Sequence, residues 1–181
     1  TIDHPKNVAV LSGSLADAWI LAGGELSSTT EDAWTNDALT LPKNVPSLGS
    51  IAAPNMEQII SLDTDFAILS SNISGQVNIR KQLEQVGITT SYFDVETFED
   101  YSGMMKTFTN ITGRDDLFKE NVTDIQSEIN KQIARQNDSH STILFLRADS
   151  SGVSARNSNS MTGAMLKDLG CINIADSNSA F

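Results

Sequence analysis

The chain has 181 residues, 39 % hydrophobic and 19 % charged, with 12 Lys and Arg against 23 Asp and Glu for a net charge of −11. That mixture is too apolar for a disordered chain and suits one domain, or one domain and part of another. Its acidity argues against nucleic acid as a partner, and no apolar run approaches the roughly 18–20 residues that span a bilayer. A single cysteine, Cys171, excludes an internal disulfide but not export. Two histidines, His4 and His140, leave too few ligands for a zinc site of the usual kinds.

Residues 6–11 form an apolar run that predicts a buried strand, with Ser12-Gly13-Ser14 as the turn after it. Residues 16–22 predict a helix stopped by Gly23-Gly24, with Trp19 in the core. A second short strand is expected within 25–30, then a polar loop over 30–44 that carries Trp34, then an extended segment at 45–49. Pro54 suits the first turn of a helix over 53–62, with Met56, Ile59, Ile60 and Leu62 on its apolar face. Residues 66–69 predict a buried strand. Val77, Ile79, Leu83 and Val86 predict a helix over 77–86 that Gly87 stops. A strand over 90–95 follows, and then a helix from 97 to about 112, with Thr97 and Asp100 as a weak capping box and Gly113 at its end. Strand and helix thus alternate over 7–113, the pattern of a parallel sheet with helices on both faces.

Leu117, Phe118, Val122, Ile125, Ile129 and Ile133 recur at helical spacing over 116–135 without Gly or Pro. A helix of that length is a rod of roughly 30 Å, enough to join two lobes. The α/β pattern then restarts: a strand at 142–146, a polar loop at 149–160 with Arg156, a helix at 161–169 stopped by Gly170, and a strand at 172–175. About 40 residues is too little for an independent core. The expected organisation is an α/β lobe over 1–113, a connecting helix over 114–138 and an incomplete second α/β lobe over 139–181.

Catalytic readings find little support. Ser14 lies on a strand-to-helix turn, but G-x-S-x-G is absent and His140 is the only credible base. Neither G-x-G-x-x-G nor a phosphate-binding P-loop occurs. Asp63 and Asp65 read as a solvated turn rather than a metal site. Cys171 reads as a small buried hydrophobe, and Met56 as core rather than ligand. Asn72, Asn110, Asn121 and Asn137 each begin an N-x-[ST] triplet, which matters only in a host that glycosylates. Trp34, in a loop at the expected carboxyl end of the sheet, suits stacking on a planar or bulky ligand.

Several stretches together carry a resemblance. They are Val8-Ala9-Val10-Leu11-Ser12-Gly13-Ser14-Leu15-Ala16; Leu48-Gly49-Ser50; Pro54-Asn55-Met56-Glu57-Gln58-Ile59-Ile60-Ser61-Leu62-Asp63-Thr64-Asp65; Leu83-Glu84-Gln85-Val86-Gly87-Ile88; and Ile111-Thr112-Gly113-Arg114. The order resembles the substrate-binding proteins of ABC importers that carry ferric siderophores, haem or cobalamin between two α/β lobes joined by a long helix. The stretch from Pro54 is similar to the signature PNLE-x-I-x-x-L-x-PD, with Thr64 in place of its Pro. Residues 161–175 resemble a second-lobe segment ending GG-x-N-I-A, with Cys171 for the second Gly.

The resemblance implies capture and delivery rather than catalysis, and no intrinsic cofactor. The implied ligand is a siderophore-like iron chelate or a corrinoid, ahead of haem because His residues are scarce. Ligand-facing positions carried over are Ser12, Gly13 and Ser14, then Trp34, then Ser50, Ile51, Ala52 and Ala53, then Ser71 and Asn72. Arg147 and Arg156 are the second-lobe candidates, since guanidinium suits an anionic chelate. Glu57 matches the acid that pairs with an Arg of the membrane permease. The setting implied is extracytoplasmic, as a periplasmic protein or a cell-surface lipoprotein whose lipid-bearing Cys would precede Thr1. A complete member would continue for about another lobe's worth of residues past Phe181. The alternative is a ligand- or partner-binding regulatory module derived from that family. An enzyme subunit of a similar two-lobed frame would need cysteine-ligated clusters, which one Cys does not supply.

Overall fold

A computed structural model describes residues 4–35, 39–135, 141–150 and 152–176. Asn137 and His140 lie outside the described residues. The chain divides into two compact units: Thr1–Asp94 with Gly103–Val122, and Val95–Ser102 with Thr123–Phe181.

The first unit is an α/β layer structure. Strands β1 (Val8–Val10), β2 (Ser28–Thr29), β3 (Phe66–Ser70) and β4 (Thr89–Phe93) form one sheet in the order β2-β1-β3-β4, every pairing parallel. The register sets Val8 opposite Phe66 and Ala9 opposite Ala67. Side chains alternate between faces along a strand, so the two faces acquire different cores. One holds Ala9, Leu11, Ala67 and Leu69 with Leu48, Ile59, Leu83 and Ile88, all buried. It is covered by α2 (Met56–Ser61) and α3 (Ser74–Gln85). The other is aromatic. Trp19 of α1 (Gly13–Leu21) meets Phe66 edge-on at 6.1 Å and Phe108 of α4 (Phe98–Thr112) at 5.2 Å, and Phe93 meets Phe108 at 4.9 Å. Burying such a side chain contributes about 1.5–3 kcal/mol. The parallel sheet with helices on both faces is the architecture expected from the alternation.

Details differ from the sequence reading. Pro54 precedes α2 rather than lying in it, because Asn55 is the N-cap and its side chain accepts from the Gln58 amide at 3.1 Å. The segment read as loop from residue 30 contains a 3-10 turn at Glu31–Thr35. Helix α3 starts at Ser74, ahead of the expected 77, and Val77 and Val86 are exposed while Leu83 is buried. Thr97 and Asp100 form a full capping box: the Asp100 amide donates to Thr97 Oγ1 at 3.1 Å, and the Thr97 amide to Asp100 Oδ2 at 2.9 Å. The Asp65 carboxylate accepts from the amides of Lys6 (2.8 Å) and Asn7 (3.1 Å).

The long helical stretch runs as α5 (Asp115–Phe118), a π-helical turn at Lys119–Thr123 and α6 (Asp124–Arg135). In the second unit the expected strand at 142–146 divides. Strand β5 (Thr142–Ile143) pairs in parallel with β8 (Ile172–Asn173). Strand β6 (Leu146–Asp149) pairs antiparallel with β7 (Gly152–Ala155), so the span read as a polar loop holds half of a hairpin. Helix α7 (Met161–Asp168) lies between, and a 3-10 turn at Ile174–Asp176 replaces the end of the last expected strand. Cys171 is half-buried rather than buried.

A candidate ligand-binding rim

All four strands of the first sheet point the same way, so their carboxyl ends and the turns beyond them share one edge. Open parallel sheets bind ligands at that edge. The ligand-facing candidates of the first unit lie on the loops at this edge.

After β1, Ser12 is buried and caps α1 with extended backbone (φ −161°), while Ser14 is exposed. Their hydroxyls are hydrogen-bonded at 3.0 Å. The Gly13 amide, the kind of helix-start donor an anion would take, already donates to Asp32 Oδ2 at 2.7 Å. A Cβ on Gly13 would lie 2.8 Å from Ala33 Cα, so glycine is what lets the 3-10 turn seat against α1. Asp32 Oδ1 also accepts from Thr30 Oγ1 at 2.6 Å, and its carbonyl from Thr35 Oγ1 at 2.8 Å. This stitching holds the turn that carries Trp34, whose side chain stands 49 % exposed.

The segment at 50–53 is fixed by its own turn. The Ala53 amide donates to the Ser50 carbonyl at 3.1 Å, and the Ala52 amide to Ser50 Oγ at 3.3 Å. Ser50 and Ile51 are half-buried, while Ala52 and Ala53 are exposed. After β3, Ser71 and Asn72 are exposed. Asn72 donates to Asp94 Oδ1 at 2.8 Å, and its own Oδ1 is bonded to the Ser70 hydroxyl. The loops at this edge therefore carry exposed Ser14, Trp34, Ser71 and Asn72, with Asp32 and Asp94 accepting hydrogen bonds from Gly13 and Asn72.

One residue of the site escaped the sequence reading. Gln76 is fully buried. Its amide nitrogen donates to the carbonyls of Leu11 and Ile51 (3.0 Å to the latter), and its amide oxygen accepts from the Ser70 amide at 2.7 Å. The signal was available: Gln76 stands three residues before Ile79 and seven before Leu83, a polar residue on the buried stripe.

The remaining candidates lie elsewhere. Glu57 is exposed in the first turn of α2. Arg147 and Arg156 belong to the second unit. Arg147, in β6, pairs with Asp149 at 3.3 Å. Arg156, just past β7, is half-buried; its amide donates to Phe145 and its carbonyl accepts from Asn173 Nδ2 at 2.8 Å. Among the described residues, no group of three or more His, Cys, Asp or Glu is placed to hold a metal.

The family model described as periplasmic binding protein matches residues 8–180. The chain belongs to the periplasmic binding protein family. Solved structures agree in fold. The siderophore-binding protein BauB, bound to a complex of two acinetobactin molecules and ferric iron, superposes with a TM-score of 0.77 at 20 % identity, over 98 % of this chain and 64 % of that one. The periplasmic haem-binding protein HutB of Vibrio cholerae gives 0.74 at 17 % identity, over 92 % and 65 %. The Fe3+–Desferal-bound siderophore-binding protein FhuD of Vibrio cholerae gives 0.75 at 17 % identity, over 94 % and 67 %. This periplasmic binding protein chain thus spans about two thirds of the length of these proteins. No curated protein sequence matches it. No helix among the described residues is long and apolar enough to cross a membrane.

Proposed function

We propose that this chain serves as the substrate-binding component of an ABC importer, outside the cytoplasm, for a metal chelate. The reading rests above all on the polar rim at the carboxyl edge of the first sheet, where Trp34 stands half-exposed on the 3-10 turn that Asp32 ties to the Gly13 amide. Family membership supports it, and so do the siderophore and haem ligands named for BauB, HutB and FhuD.

The chemistry is recognition, not reaction. The exposed indole offers a stacking face to a bulky chelate, and the small side chains around it let that chelate approach the backbone. Within this reading Ser12, Ser14, Ser50, Ser71 and Asn72 supply hydrogen bonds. Gly13 acts by admitting the Trp34 turn, since its amide is already taken by Asp32. Arg147 and Arg156 are offered to anionic groups of the chelate, and Glu57 to a basic residue of the permease. A siderophore-like iron chelate or a corrinoid is preferred over haem, which favours an axial His, Met or Tyr. A lipid anchor upstream of Thr1 would hold the protein at the membrane.

Tryptophan fluorescence tests this. Fe3+–Desferal, cyanocobalamin and haemin are titrated into the wild type and into Trp34→Phe, which leaves buried Trp19 as the reporter. One chelate should quench the wild type saturably and lose most of that quenching in Trp34→Phe. Saturable quenching of equal depth in both would remove Trp34 from the site. No response to any of the three, in fluorescence or in thermal melts, would favour the partner-binding module instead.

A further inference from the structure

We propose that Gln76 is the positioning residue of the ligand-facing rim: one buried side-chain amide holds the segment after β1, the turn at 50–53 and the end of β3 in a fixed mutual arrangement. The inference rests on the function proposed above for what the rim captures, but its geometry stands by itself. The accounting is complete. A glutamine side chain has two N–H donors, and these go to the carbonyls of Leu11 and Ile51. Its oxygen accepts from the Ser70 amide. Leu11 directly follows β1, Ser70 is the last residue of β3, and Ile51 belongs to the turn between β2 and α2.

No hydrophobic residue can do this. The segment leading into the turn at 50–53 is held at β2, with the Leu48 amide donating to the Thr29 carbonyl at 2.7 Å and the Glu31 amide to the Gly49 carbonyl at 2.9 Å, and Gln76 ties the turn itself to the sheet centre. The neighbouring residue reinforces the tie. A Cβ on Gly75 would lie 1.8 Å from the Ala52 carbonyl oxygen, so the start of α3 is packed directly on the turn's backbone. A buried polar group whose partners are all other segments is costly to leave unmet and specifies one arrangement when met. Capture is tighter when such an arrangement precedes the ligand.

The test uses the full chain and three variants. Gln76→Glu keeps the acceptor for the Ser70 amide and, ionised, loses both donors. Gln76→Met loses everything at similar volume. Leu83→Ala, fully buried on the same helix, is the control for simple destabilisation. Amide hydrogen exchange is followed at 11–14, 50–53 and Ser70, with Ala67 and Ile68 in mid-strand as reference. In Gln76→Glu, exchange at 50–53 should rise about tenfold or more with mid-strand amides unchanged and Ser70 still protected. In Gln76→Met, Ser70 should also lose protection. Acidification that neutralises the new carboxyl restores one donor and should recover part of the protection in Gln76→Glu alone. Leu83→Ala should lower the melting temperature without singling out the rim. Affinity for whichever of Fe3+–Desferal, cyanocobalamin or haemin the wild type binds should fall about tenfold in both Gln76 variants at temperatures where they are folded. Exchange that rises evenly across the sheet, or stays at the wild-type level at 50–53, would overturn the assignment. Wild type that binds none of the three would overturn the function proposed above, while the exchange data would still decide on Gln76.

Discussion

Gly75→Ala turns on the sign of its effect. Gly75 is the second residue of α3, and its φ is not positive. On helical grounds alone, alanine there should stabilise by about 0.5–1 kcal/mol, because glycine loses more freedom on folding. Packing says the reverse. The added Cβ would meet the Ala52 carbonyl oxygen at 1.8 Å and its carbon at 2.9 Å. Both are backbone atoms, so no rotamer relieves the clash, and the turn must retreat by about 1.5 Å to restore ordinary contact. That retreat would stretch the bond from Gln76 to the Ile51 carbonyl, now 3.0 Å. Overpacking costs about 1–3 kcal/mol and a compromised buried hydrogen bond about 1 kcal/mol more. Less the helical gain, the net destabilisation is about 1–3 kcal/mol. Gly103→Ala is the matched control: Gly103 lies inside α4, exposed, with nothing within 4 Å of the added carbon. It should stabilise by about 0.5–1 kcal/mol. Both are made in a Trp34→Phe background, so that buried Trp19 alone reports urea unfolding of the first unit. The midpoints should move in opposite directions. A Gly75→Ala midpoint that rises with that of Gly103→Ala would refute the close approach of α3 to the turn at 50–53.

Two further expectations concern charge and local stability. Hydrogen bonds from the Thr97 hydroxyl and from the amides of Glu96 and Thr97 hold the Asp100 carboxyl below the usual aspartate range. A depressed folded value means stabilisation that is present above the unfolded value and lost as pH falls through the folded one. Asp100→Asn should therefore shrink the loss of stability as pH falls below the ordinary aspartate range, about pH 4, followed by circular dichroism in urea; an unchanged acid limb would count against the capping box. Limited proteolysis of the intact chain should cut first within 123–176, because among the described residues of that unit only Gly163 and Asn173 are buried; first cuts within 66–93, read by mass spectrometry, would contradict this.

The legible part of the fold is the part that buries regular apolar patterns. Residues 8–11 and 66–69 are apolar throughout because both faces of those strands are covered, and a continuous run flanked by turn residues identifies such a strand. The stops at Gly87 and Gly113 were equally plain, since both residues adopt the positive φ (87° and 72°) that ends a helix. The rim positions were carried over from the resemblance onto the loops at these strand ends. What they touch did not follow. Asp32 is distant in sequence from the Gly13 amide it occupies, and Gln76 is farther still from Leu11, so no local pattern announces either bond.

The second unit was misread for the converse reason. Along β6 and β7 every residue described is exposed, with Leu146 at 52 % and Val153 at 69 %. Alternation between apolar and polar residues records which face is covered, so strands exposed on both faces carry no period to read. Residues 142–146 accordingly read as one strand and 149–160 as a loop, although β6 and β7 pair within that span, Asp149 opposite Gly152. The same lack of burial that hides these strands from the sequence also leaves little to hold them. A two-stranded hairpin is marginal by itself, and an ordered residue costs on the order of 1–2 kcal/mol of backbone entropy. Exposed Ile125, Leu144, Met161, Met165, Ile172 and Ile174 are apolar area from which this unit gains little. Illegibility and low local stability thus have one physical origin in this unit, while the rim of the first unit stands on a sheet buried on both faces and cross-tied by Gln76.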